Sequence, residues 1–169
     1  PLYSSAASDV YKRQLGHRSV QLLTVNGMQF KDLNKNGKLD AYEDWRLSSN
    51  ARAKDLLSKM SVEQKAGFML ISTTRMKNDA PFGGGGGGGN REAITSDFNE
   101  EDQVNATNMF TRKPLPIPLM MAAGTTKAVK QFQLRHFILR ANTAPRTIAE
   151  WSNKLQAACE SDGLGIPAI

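Results

Sequence analysis

The stretch that most constrains the fold is the last one. Leu134 to Arg140 (LRHFILR) is a strand candidate with Phe137-Ile138-Leu139 as its apolar centre. Thr147 to Glu160 follows as a helix. Its start, Thr147-Ile148-Ala149-Glu150, fits a capping box, and Ile148, Trp151, Leu155 and Cys159 fall on one face. Gly163 and Gly165 stop it, and Ile166 to Ile169 opens a second extended run. Strand, helix and strand within about 35 residues make a βαβ unit, because two parallel strands cannot be joined by a tight turn. Such a unit is right-handed and belongs to a larger parallel sheet. An α/β fold is therefore expected. The 169 residues allow one domain with an appended segment. They are too few for a complete (β/α)8 barrel, which takes about 250.

Upstream of this unit the pattern is mainly helical. Ser19 to Phe30 reads as two short extended pieces around Asn26-Gly27, the dipeptide favoured in two-residue hairpins because both central residues need positive φ. Ser48 to Met60 is a helix with Ala53, Leu56, Leu57 and Met60 as its apolar stripe. Ser61-Val62-Glu63-Gln64 is a second capping box, and Val62, Ala66, Met69 and Leu70 are the expected buried face of the helix it opens. Asp97 to Phe110 is read as a helix whose early acids, Glu100, Glu101 and Asp102, suit the positive end of its dipole. Pro114, Pro116 and Pro118 force an extended linker, and Thr126 to Gln133 is a short helix. Gly83 to Gly89 lacks the Gly-Lys-Ser/Thr of a phosphate loop and reads as a flexible surface loop. Pro1 to Gln14 has no periodicity and resembles translated sequencing-adapter DNA. With no initial Met present, the native start is expected elsewhere. The expected organisation is a non-native segment over 1–14, an extension over 15–133 and a first βαβ unit over 134–169.

One motif carries chemistry. Asp32 to Glu43 (DLNKNGKLDAYE) matches the twelve-position calcium loop. Asp32, Asn34, Asn36 and Asp40 place oxygen atoms at positions 1, 3, 5 and 9. Gly37 makes the turn at position 6, Lys38 offers its backbone carbonyl at position 7, and Glu43 closes the shell at position 12. Three carboxylates suit a hard divalent cation, and a helix entering at Glu43 would fix that side chain. The competing reading is an Asn-Gly turn before an acid-rich helix start, with no metal. A single loop without a preceding helix points to a structural calcium rather than a switch.

Other classes are excluded. The net charge of +6 is spread along the chain without a basic run, so nucleic acid is not an expected partner. No apolar stretch reaches the 18 to 20 residues of a membrane span, roughly. Cys159 is the single cysteine, which removes any internal disulfide framework. His17 and His136 are the only histidines, and a lone His136 on a strand reads as a packed residue rather than a catalyst.

Several stretches together resemble the amino-terminal region of bacterial glycoside hydrolase family three. They are FKDLNKNGKLDAYEDWR (30–46), AKDLLSKMSVEQKAGFML (53–70), ITSDFNEEDQVNATNMF (94–110), RHFILRANTAPRTIAEWSNKLQ (135–156) and LGIPAI (164–169). The resemblance implies the beginning of a TIM-type barrel, with Leu134 to Arg140 as its first strand and Ile166 onward as its second. It implies a retaining, exo-acting β-glucosidase-like enzyme acting on a carbohydrate, periplasmic or secreted. The family's Asp nucleophile, its acid and its substrate-binding Lys-His pair lie beyond LGIPAI, so no catalytic residue transfers and this chain alone is expected to be inactive. Arg140 and Asn142, just past a barrel strand, are the candidates for sugar contact. The alternative is a small calcium-binding module, dockerin-like or EF-hand-like.

Overall fold

The computed structural model describes residues 17, 19–79, 93–108, 110–118, 120–139 and 141–169. The adapter-like segment, the glycine run and Arg140 lie outside the described residues. Contacts divide the chain into two units, residues 1–61 with 160–166, and residues 62–159 with 167–169.

The first unit opens with a hairpin, β1 (Leu22–Val25) antiparallel to β2 (Met28–Lys31). Asn26 and Gly27 take φ of 51° and 75°, the double positive value that the Asn-Gly turn requires. Phe30 from β2 is fully buried, stacked on Trp45 at 5.5 Å between centroids, with the Arg46 guanidinium 4.9 Å from its ring. Helix α1 (Ser49–Lys59) is capped by Ser48, whose side chain accepts the Ala51 N–H. No residue within α1 is fully buried: of the expected stripe only Met60, at the C-cap, is, and Ala53 and Leu57 are exposed. The helix is held instead by a polar face. Arg52 Nε donates to Tyr42 O at 3.0 Å, and the Tyr42 N–H donates to Asp55 Oδ2 at 3.0 Å. Gly165, at φ +64°, returns the chain against Leu33. A Cβ there would stand 2.8 Å from the Leu33 carbonyl oxygen.

In the second unit, helix α2 (Val62–Phe68) leads into β3 (Ile71–Thr74). The expected buried face of α2 is a correction: Val62, Ala66, Met69 and Leu70 are all exposed, and Gly67 is the buried residue. Gly67 lies where a Cβ would come within 2.1 Å of the Phe132 carbonyl oxygen, so only glycine permits this approach. The strand β3 is a second correction. It pairs in parallel with β6 (His136–Leu139), Ile71 opposite His136 and Thr74 opposite Leu139, so the parallel sheet begins at Ile71 rather than at Leu134. Residues 97–110 are a third. The described residues of this stretch form no helix but a loop and β4 (Gln103–Asn105), antiparallel to β5 (Met120–Ala122). Their acids serve the start of another helix, α3 (Thr125–Lys130). Glu100 Oε2 accepts the Thr126 N–H and Asp102 Oδ1 accepts the Gly124 N–H, both at 3.0 Å.

After β6 comes α4 (Pro145–Ser161), starting two residues before the capping box. Its apolar face falls where the sequence places it. Trp151, Leu155 and Cys159 are buried with Met76 and Val129, and Phe137, Leu139, Ile148 and Ala168 pack around them. The Phe137 N–H then donates to Ile169 O at 2.9 Å, and the Ile169 N–H to Arg135 O at 2.7 Å. That reciprocal pair is a parallel bridge, so the sheet runs β3, β6 and Ile169 in chain order. Gln156 holds the last segment through its amide, donating to Ala168 O and accepting the Ala168 N–H. The described residues thus form a small α/β fold of short sheets and four helices.

Candidate functional site

Neighbours across a parallel ladder share a face. Ser72, Thr74, Phe137 and Leu139 therefore lie on one side of the sheet, and Phe137 and Leu139 pack into the core there. Ile71, Thr73, His136, Ile138 and Ile169 lie on the other. Ile71 is 68% exposed, Ile138 48% and Ile169 67%, so the isoleucines of this second face are open among the described residues, while His136 and Thr73 on it are half-buried. His136 is packed as expected, edge-on to Phe68 at 4.7 Å between centroids.

β3 runs out into buried Arg75 and Met76, and the segment pairs back with residues 95–99. The Lys77 N–H donates to Asp97 O and the Asn99 N–H to Arg75 O. An open cleft of about 750 Å³ adjoins it, lined by Lys77, Asp79, Asp97, Asn99, Glu101 and Lys154 among others. Lys154 Nζ bonds Asp97 Oδ1 at 2.7 Å and holds that carboxyl below its ordinary range. Carboxylates, an amide and ammonium groups line it as hydrogen-bond donors and acceptors. Periodicity did not single out this cleft, because it is built by a loop returning to a strand end and not by a face of one element. At β6 the strand ends at Leu139. Asn142 follows it, exposed, before α4, and Arg140 is outside the described residues.

The twelve-residue loop lies apart in sequence, within the first unit. Gly37 takes φ +73° and Lys35 φ +60°, as the sharp turn demands. The helix expected at Glu43 is a correction: residues 41–43 form a turn, and α1 starts only at Ser49. Glu43 is fixed by hydrogen bonds instead. Its Oε1 accepts the N–H groups of Leu33 (2.7 Å) and Asn34 (3.2 Å), and its Oε2 accepts that of Asp40 (3.0 Å). Asp32 accepts the N–H groups of Asn36 and Gly37 at 3.0 and 2.9 Å. Asn34 and Asn36 turn their amide nitrogens to Asp40 Oδ2, at 2.6 and 2.7 Å, while the Lys38 N–H donates to Asn36 Oδ1. Lys59 Nζ reaches Asp40 Oδ1 at 3.0 Å. Burial opposes ionisation of Asp40, but the bonds from Asn34, Lys59 and Asn36 outweigh it and leave the carboxyl below its usual range. Burial, with the negative charge of Glu43, Asp40 and Asp32 around it, pushes the Tyr42 phenol upward. Among the described residues no three His, Cys, Asp or Glu side chains converge as a metal cluster does. Here the loop closes on itself.

No family model matches this chain. It is 36% identical over 167 residues to a periplasmic beta-glucosidase/beta-xylosidase of Dickeya chrysanthemi. The match covers 98% of this chain and 20% of that protein, so the chain spans about one-fifth of the relative's length. No described helix is long and apolar enough to cross a membrane.

Proposed function

We infer, from the premise that this chain is a fragment like those of glycoside hydrolase family three, that it forms the beginning of the barrel of a retaining β-glycosidase. The observation that carries the reading is the 36% identity running through 98% of the chain. The sheet supports it. Parallel sheets are covered on both faces, and this one has a packed outer face and an open inner face bearing Ile71, Ile138 and Ile169. Strands laid down in chain order, with the following helix α4 packed on one face, are the way a (β/α)8 barrel begins. In that barrel β3 is the first strand and β6 the second.

The proposed reaction is hydrolysis of a β-glucoside or β-xyloside through a glycosyl-enzyme. It needs two carboxyl groups about 5 to 5.5 Å apart, both supplied by parts of the enzyme outside these residues. The sugar contacts proposed for this chain are Asn142, which follows β6, and Arg140, which lies outside the described residues; the proposed setting is the periplasm or the cell exterior. The test is to join these residues to the remainder of a family-three enzyme and assay nitrophenyl β-glucoside and β-xyloside. Activity in the joined protein, absence of activity in the 169 residues alone, and a higher KM for Asn142→Ala are expected. Hydrolysis by the short chain would sink the reading.

A second reading concerns the loop over 32–43, which we propose holds a structural calcium. Asp32 and Glu43 are 3% and 4% exposed, and among the described residues neither pairs with a lysine or arginine. Buried charges are ordinarily paired or bound to metal. Three carboxylates, two amide oxygens and the Lys38 carbonyl are the donor chemistry of such a site. Asn34 and Asn36 would turn their amide oxygens inward to take the ion. Calorimetry with calcium, set against Glu43→Gln, decides it.

A further inference from the structure

β3 has two edges, and the hydrogen bonds assign them. The Phe137 N–H and the Arg135 carbonyl are engaged with Ile169, so His136 and Ile138 turn their backbone groups to β3. With Ile71 opposite His136 in a parallel ladder, Ser72 and Thr74 are then the residues that bond β6. Ile71 and Thr73 point their N–H and C=O groups to the opposite edge. Further along, that edge is taken: the Arg75 carbonyl accepts the Asn99 N–H, and the Lys77 N–H donates to Asp97 O. At Ile71 and Thr73 it is bare. Among the described residues their N–H groups donate to nothing, and the Thr73 carbonyl meets only the hydroxyl of its neighbour Ser72, at 3.4 Å.

An apolar groove of about 610 Å³ adjoins the bare edge, lined by Leu70, Ile71, Val104, Met121 and Phe132 among others, all five exposed. Ile71 belongs both to this groove and to the open face it shares with Ile138 and Ile169, so the two surfaces are continuous. Ile71 to Thr74 carries none of the devices that keep an edge solitary: it holds no lysine and no proline, and its register with β6 is unbroken by a bulge.

We propose that the Ile71–Thr73 edge receives one extended strand from the part of the enzyme outside these residues, the strand that closes the barrel, with its apolar side chains in the groove. This rests on the barrel reading. The far side of the sheet is already extended by Ile169, so growth by successive strands leaves this edge for the last one. Closure is what removes edges from a barrel. The match occupies 20% of the relative, so the strand has chain to come from.

The test is amide hydrogen exchange, resolved to single residues by fragmentation mass spectrometry. It compares the 169-residue chain with the same residues joined to the remainder of a family-three enzyme. In the short chain Ser72 and Thr74 are expected to exchange about tenfold or more slowly than Ile71 and Thr73. In the joined protein all four are expected to be slow, Ile71 and Thr73 by about a hundredfold relative to the short chain. Thr73→Pro removes an edge donor and spares the β6 ladder. It is expected to lower the melting temperature of the joined protein more than that of the short chain, and equal shifts would count against the edge. A joined protein that hydrolyses nitrophenyl β-glucoside while Ile71 and Thr73 stay fast overturns the proposal and leaves the glycosidase reading standing. One that neither hydrolyses nor protects them overturns both. Protection in the short chain that is lost on dilution would give the edge to a second copy instead. Fast exchange at all four residues of the short chain would deny the ladder from which the edge is assigned, and the proposal falls.

Discussion

The two units solve the burial problem in opposite ways. The first is small in apolar content and rich in polar closure. Asp32, Asp40, Glu43, Asp44 and Glu160 each meet several donors, and Phe30 is sealed between Trp45 and Arg46. The second has a genuine apolar core, but on one side of its sheet only. The difference teaches where more protein is wanted. A loop whose carboxylates are hydrogen-bonded by its own backbone asks for no further protein around it. A parallel sheet with isoleucines in water is a surface meant to be covered.

The largest effect that sharpens this contrast is expected on the packed side. Trp151→Ala removes the largest side chain of the buried cluster, and such truncations cost about 3 to 5 kcal/mol. Urea denaturation followed by circular dichroism should show the second unit losing its cooperative transition. A loss under about 1 kcal/mol would mean that the cluster is not the core. Gly67→Ala comes next. Its Cβ would meet the Phe132 carbonyl oxygen at 2.1 Å, backbone against backbone, and overpacking of this kind costs about 1 to 3 kcal/mol. Unchanged stability would require α2 to stand off from residues 132–133.

Legibility in the sequence followed the same division. The face of α4 was readable because Ile148, Trp151, Leu155 and Cys159 recur at helical spacing and the core honours that spacing. The Asn26-Gly27 hairpin was readable because local chemistry alone decides it. α2 was misread: Val62, Met69 and Leu70 have helical periodicity, yet they face solvent because nothing among the described residues packs on them. Ile71 to Thr74 went unread as a strand for a related reason. Only its parallel partner β6, more than sixty residues later, defines it, and pairing at that distance leaves no local trace. The acids at 100–102 were read as helix-start residues, which is their chemistry, but for α3 rather than for a helix of their own. Of the sites, the loop at 32–43 was legible as a turn and as a donor set. Lys59, sixteen residues past Glu43, was not, since it arrives by tertiary packing of α1.

Acid separates the two units at a smaller scale. The bonds from Arg46 hold the Asp44 carboxyl below its ordinary range. At Glu160 burial works the other way, but Lys31 and Ser19 outweigh it and the carboxyl is also lowered. With Asp40, these groups bind protons less readily folded than unfolded, so their contribution is present above about pH 4 to 5 and is lost as pH falls through the lowered folded values. Trp45 belongs to the first unit and Trp151 to the second. Fluorescence of Trp151→Phe and Trp45→Phe therefore follows each unit separately. The Trp45 signal should unfold on acidification without recovering at high salt, whereas the exposed Lys154–Asp97 and Lys127–Asp102 pairs of the second unit are weakened by salt while their carboxylates are ionised. A Trp45 signal indifferent to pH between about 5 and 2 would remove the polar-closure account of the first unit.

The smallest expected effect discriminates best. Ile138→Lys places a charge on the open face of the sheet, where the side chain is 48% exposed. In the 169-residue chain it should change stability by no more than about 0.5 kcal/mol, as surface substitutions do. It should also reduce self-association measured by sedimentation, because a contiguous apolar patch is interrupted. In a protein that carries the rest of the barrel, the same lysine would be buried without a partner, and the cost should rise to several kcal/mol, about what an unpaired buried charge exacts. A mutation that is neutral in one setting and disabling in the other would identify the face as the interior of a larger sheet. Equal and small effects in both would mean that the face meets solvent in the whole protein too, and the barrel reading would fail with it.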